Sequence, residues 1–160
     1  TMLKCIPAIQ PVSNKDLKRL ASGFGMRIHP IYKIAKMHTG LDFTADIGTE
    51  IYATGDGVIE SIESKFSGYG QYVVINHGFG YESLYAHMSR VAVHSGQKIR
   101  RGQIIGYVGN TGTSTGPHLH YEVLKNGEKV DPAFYFYSDI TPEQYEDMLK
   151  RSANAKQSFD

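Results

Sequence analysis

The 160-residue sequence predicts an antiparallel, mainly β domain with short helices at its N- and C-terminal ends. Three observations predict it. Short runs rich in Val, Ile and Tyr recur between glycine turns: "EIYATGDGVIESIES", "GQYVVINHG", "ESLYAHMS", "QIIGYVGN" and "HLHYEVLKNGEKV". Asn126-Gly127 stands between two such runs and is the strongest short signal for a hairpin. Helical signals are confined to the two ends of the chain.

Each element has a local reason. "SNKDLKRLAS", Ser13 to Ser22, reads as a short helix capped by Ser13 or Asn14, with Leu17 and Leu20 three apart. "MHTGLDF" reads as a loop passing into a strand, with Gly40 permitting an unusual backbone angle. "TGDG", Thr54 to Gly57, is a turn. In "SLYAHMS" a shared strand face for Ser83, Tyr85 and His87 would aim His87 into a groove. In "GPHLHYEV" the side chains of His118 and His120 share a face, because alternate residues of a strand point the same way. "TPEQYEDMLKRS" has Thr141 as N-cap, Pro142 at the first helical position and Gln144 completing a capping box. Tyr145, Met148 and Leu149 then form an apolar stripe that faces the β domain. The last residues, "ANAKQSFD", read as frayed.

Composition removes several function classes. A formal net charge of +1 argues against a nucleic-acid binder. Cys5 is the only cysteine, so there is no intrachain disulfide and no thiolate metal site. No run of 18 apolar residues exists for a membrane span. No secretory leader is visible. The first residue is not Met, so a targeting or anchoring part removed upstream would go unseen.

Seven histidines carry the candidate chemistry: His29, His38, His77, His87, His94, His118 and His120. His38 and Asp42 lie four apart and can share one metal ion if the turn between them folds them together. Two histidines and one aspartate make a three-ligand site with an open fourth position, the arrangement of catalytic zinc. Calcium or magnesium would want more carboxylates and carbonyls. Taken singly, each histidine is equally well a surface or hydrogen-bonded structural residue.

The motifs together resemble the lysostaphin-type (LytM-like) zinc metalloendopeptidases, which cleave peptidoglycan. The matching features are "GFGMRIHPIYK", "MHTGLDF", "YAHMS", "GQKIRRGQIIGYVGNTGTSTGPHLHYEV" and "VDPAFYF", in that order. The resemblance implies an antiparallel two-sheet β core with an open groove. It implies an N-terminal flanking segment over 1–21, a catalytic domain over 22–137, and a helix and frayed tail over 138–160. It implies one zinc ion held by His38, Asp42 and His120, with His87 and His118 as the unliganded catalytic pair. Tyr32 matches a tyrosine that helps stabilise the transition state in some members. Ser114 and Thr115 are candidates for lining the groove, although a turn with satisfied hydroxyls explains them as well. The expected activity is hydrolysis of stem or cross-link peptides of peptidoglycan by a metal-activated water, in the periplasm or outside the cell. A direct D-amino-acid cross-link is favoured over a glycine bridge, by analogy with the layout of envelope enzymes. The competing expectation is a non-catalytic or latent wall-binding module that activates another hydrolase. All five site positions are intact, which favours the enzyme.

Overall fold

Glycine turns and alternating buried side chains divide the chain into short strands. The computed structural model describes residues 2–13, 19–28, 35–112, 114, 116–136 and 141–154. After a one-turn helix α1 (Met2–Cys5) come β1 (Leu20–Ser22), β2 (Gly25–Ile28), β3 (Ala35–His38) and β4 (Leu41–Thr44). They are followed by β5 (Glu50–Tyr52), β6 (Gly57–Ser64), β7 (Gln71–Gly78), β8 (Tyr81–Ala86) and β9 (Met88–Val91). Next are β10 (Lys98–Ile99), β11 (Ile104–Val108), β12 (His118–Lys125) and β13 (Glu128–Val130). A 3₁₀ turn at Pro132–Tyr135 and helix α2 (Pro142–Asn154) close the chain.

The strands pair antiparallel throughout, as the turn-rich sequence predicts. The large sheet runs β1-β4-β12-β8-β7-β6-β10, with β13 also on β12. A second sheet runs β5-β11-β9, and β2 and β3 form a separate ribbon. Strand β12 is the centre of this arrangement. Its odd residues Leu119, Tyr121 and Val123 join Leu41, Phe43, Ile51, Tyr85, Ile105 and Val108 in one apolar cluster. Its even residues His118, His120 and Glu122 take the opposite face and are buried as well. On that face Ala86 stands opposite His120 and Leu84 opposite Glu122, and both join Val74 in a small second cluster.

Local chemistry explains the ends of these elements. Asn126 and Gly127 both have positive φ, 53° and 83°, as a two-residue type I′ hairpin requires. Helix α2 opens with the expected capping box: the Gln144 N–H donates to Thr141 Oγ1 at 3.1 Å, and the Thr141 N–H donates to Gln144 Oε1 at 3.0 Å. Met148 is fully buried and Leu149 packs on the core. The Tyr145 hydroxyl donates to the Phe134 carbonyl at 2.7 Å. The helix expected over Ser13–Ser22 is not borne out at its C-terminal end, where Leu20–Ser22 is edge strand β1. Leu20 pairs with Phe43, and the Thr44 N–H donates to the Arg19 carbonyl at 2.7 Å. Lateral pairing and burial of Leu20 outweigh a weak helical spacing. Residues 14–18 lie outside the described residues.

The core carries one buried polar chain. The Tyr121 hydroxyl donates to Thr54 Oγ1 at 2.8 Å, which lies 3.0 Å from the Tyr85 hydroxyl. Tyr85 continues to Ser83 Oγ at 2.7 Å, and Ser83 to His77 Nε2 at 2.7 Å. His77 Nδ1–H ends the chain on the Asp56 carbonyl at 2.8 Å. Burial pushes the His77 imidazole down from 6.5 to about 4, against the opposing effect of the Asp56 carbonyl bond. The ring therefore stays neutral in the fold, while the unfolded chain takes up a proton below pH 6.5. Stability from this site is complete above pH 6.5 and is lost as pH falls toward 4, by about 3 kcal/mol. Urea denaturation of His77→Gln across that range is expected to show a shallower pH dependence than the native protein. An unchanged slope would remove His77 from the acid response.

Candidate metal centre

Two strands of the large sheet and the ribbon beside it converge on one point. Asp42 on β4 is the register partner of His120 on β12, which brings two distant residues side by side. His38 ends β3, and Thr39 and Gly40 carry the chain from the ribbon into the large sheet before Asp42. Gly40 does not have a positive φ. It is needed for space instead. A Cβ there would strike the Tyr121 carbonyl oxygen and lie 2.9 Å from Glu122 Cγ.

The hydrogen bonds at the outer edges of the rings determine what faces inward. His38 Nδ1–H donates to the Gly23 carbonyl at 2.7 Å, which turns its Nε2 toward Asp42. That nitrogen lies 3.2 Å from Asp42 Oδ2. His120 stands between two carboxylates, with Nε2 2.9 Å from Glu122 Oε2 and Nδ1 2.9 Å from Asp42 Oδ1. With its proton on Nε2, the ring turns an Nδ1 lone pair toward Asp42. A buried carboxylate thus faces one ring nitrogen on each side, an arrangement that a cation among the three groups would stabilise.

The donor set fits a divalent ion. One atom from each of His38, Asp42 and His120 lies within 4.8 Å of the others, and all three residues are buried. Bonds of about 2.0–2.1 Å to a tetrahedral ion would separate neighbouring ligand atoms by about 3.3 Å. Two imidazoles and a carboxylate, with no thiolate, match zinc among the borderline metals.

His118 and His87 stand beside this triad. His118 Nδ1–H donates to the Gly116 carbonyl at 2.8 Å, and its Nε2 points inward, 3.8 Å from Asp42 Oδ1. Ser114 Oγ–H also donates to the Gly116 carbonyl, at 2.9 Å, and lies 3.0 Å from His118 Nδ1. Its hydroxyl is therefore engaged at the outer edge of His118. His87 Nδ1–H donates to the Thr111 carbonyl at 2.6 Å. The His87 and His118 rings lie 4.7 Å apart.

The alternation expected to aim His87 at the groove does not do so. Ser83 and Tyr85 point into the buried polar chain, away from the histidine face of β12. His87 leaves β8 with φ 63°, a left-handed angle rare for a non-glycine residue, and this reverses its side chain onto His118's side. Two backbone contacts support that conformation. The His87 N–H donates to the Tyr69 carbonyl at 2.8 Å, and Gly70 lets the neighbouring loop press against Thr111 and Gly112. Tyr32 and Thr115 lie outside the described residues.

Sequence reasoning missed two residues. Glu122 extends the His118–His120 alternation by one more step, so its place on the site's face was legible. Tyr69 stacks on the His120 ring at 5.8 Å, and nothing local in the sequence marks it.

The sequence profile of peptidase family M23 matches residues 36–132, which hold His38, Asp42, His87, His118 and His120. The chain belongs to peptidase family M23. This M23 chain is 46% identical over 123 residues to the peptidoglycan DD-endopeptidase ShyA of Vibrio cholerae, covering 76% of the chain and 28% of ShyA. It is similar in fold to a zinc-containing peptidase of Vibrio cholerae, with a TM-score of 0.71, 37% identity, and coverage of 78% of this chain and 39% of that one. The catalytic domain of lysostaphin from Staphylococcus simulans matches with a TM-score of 0.64 at 32% identity, over 76% of this chain and 95% of that domain. The chain therefore spans just over a quarter of ShyA and most of the lysostaphin catalytic domain.

Proposed function

We propose that the chain is a zinc-dependent endopeptidase that hydrolyses peptide bonds of peptidoglycan in the cell envelope. The observation that carries this reading is the buried Asp42 carboxylate facing His38 Nε2 and His120 Nδ1. A divalent ion held by these residues would supply Lewis-acid polarisation of a carbonyl and would lower the pKa of water to about 7. Two neutral rings and one carboxylate leave such a site with a net charge near plus one. His118 presents Nε2 to the site and would take up the proton released there as general base. His87 stands across from it with Nδ1–H donated to the Thr111 carbonyl, and as an imidazolium it would also donate from Nε2 to a developing oxyanion. The relatedness to ShyA favours a bond between two D-centres in a direct cross-link over a glycine bridge.

Digestion of purified sacculi tests the reading. The zinc-loaded chain is expected to convert cross-linked muropeptide dimers into monomers, detected by mass. A chelator should abolish the conversion, and added zinc should restore it. Sacculus binding without release of any fragment would favour the non-catalytic module instead.

A further inference from the structure

We propose that Glu122 is a positioning residue that fixes His120 with Nδ1 toward the metal, and that Tyr69 holds the two together. The proposal rests on the metal-site reading above.

One carboxylate oxygen does most of this. Glu122 Oε2 accepts from His120 Nε2–H at 2.9 Å, from the Tyr69 hydroxyl at 2.6 Å and from the Thr39 hydroxyl at 2.7 Å. Thr39 lies in the turn between His38 and Asp42. A single oxygen therefore ties the segment bearing two ligands to the side chain of the third. The other oxygen, Oε1, faces Lys129 Nζ at 3.5 Å, and Lys129 also donates to the Tyr69 hydroxyl at 3.1 Å. Glu122 is fully buried, so this compensation matters.

The His120 ring is thereby held on two sides. Its outer edge is bonded to Glu122, and one face lies against the Tyr69 ring, 5.8 Å away and inclined by 26°. Glu122 is not placed to be a ligand itself, because the imidazole stands between its carboxylate and Asp42. A carboxylate accepting the outer N–H of an imidazole fixes the tautomer and makes the inner nitrogen a stronger donor. Loss of such a partner costs 10–100-fold in metal affinity, on the order of what outer partners of other metal-bound histidines contribute.

The test is metal affinity, measured on the 160-residue chain by competition with a chromophoric chelator for zinc, together with the visible spectrum of the cobalt-substituted protein. Glu122→Gln keeps the shape and an acceptor oxygen but removes the charge. Tyr69→Phe keeps the stacked ring and removes one donor. The expected result is a 10–100-fold weaker zinc complex for Glu122→Gln and a shifted cobalt absorption band. Tyr69→Phe is expected to weaken zinc binding by a smaller factor. A purely structural role would lower the melting temperature of the metal-free protein and leave affinity and spectrum unchanged, and that result would overturn the proposal. If Glu122→Gln does not fold, native affinity and spectrum in Tyr69→Phe would overturn it equally. Absence of stoichiometric zinc binding by the native chain would overturn the metal reading beneath it, a failure visible before any variant is made.

Discussion

Asp42→Asn is expected to leave the purified protein without zinc and its hydrolytic activity at background. Asp42 supplies the only negative charge among the three proposed ligands, and its carboxylate is fully buried. One oxygen serves each histidine: Oδ2 lies 3.2 Å from His38 Nε2 and Oδ1 lies 2.9 Å from His120 Nδ1. Removing the charge removes the anionic donor that offsets the ion's desolvation. The metal-free variant should nevertheless fold. An amide in place of the carboxylate keeps the shape and can donate to one ring nitrogen while accepting at the other. Its melting temperature without metal is therefore expected to stay close to that of the native protein under the same conditions. Metal analysis and thermal melting with and without zinc separate the two effects. A variant that keeps full zinc occupancy would show that Asp42 is not a ligand.

His118→Ala is expected to keep its zinc and lose about 10²–10⁴-fold in turnover, the typical contribution of a positioned general acid or base. The Gly116 carbonyl holds Nδ1–H and turns Nε2 toward the site, where it is the proposed proton acceptor. His87→Ala should also keep zinc and lose about 10²-fold or more, as loss of one oxyanion donor does. His120→Ala should lose zinc. Metal content and turnover on purified variants check all three. Zinc lost from His118→Ala and retained in His120→Ala would reverse the division of roles.

Much of this site was legible because it follows from strand alternation. His118 and His120 share a face for the same reason Leu119 and Tyr121 share the other, and Glu122 follows by the same rule. The capping box of α2 was legible because it is a four-residue pattern between Thr141 and Gln144. Features that depend on tertiary contacts were not. His87 reaches the site through φ 63°, which no neighbouring residue announces and which the Tyr69 and Thr111 carbonyls sustain. Gly40 was correctly singled out but for the wrong cause, since its constraint comes from β12, some eighty positions away in the chain. Leu20 joined a sheet edge because Phe43 and Thr44 were there to receive it.

The most direct test is anomalous X-ray scattering above and below the zinc edge, from crystals of the chain grown with zinc. One anomalous peak is expected, bounded by His38 Nε2, the Asp42 carboxylate and His120 Nδ1. Crystals with no peak there, or with zinc bound only at other residues, would contradict the account.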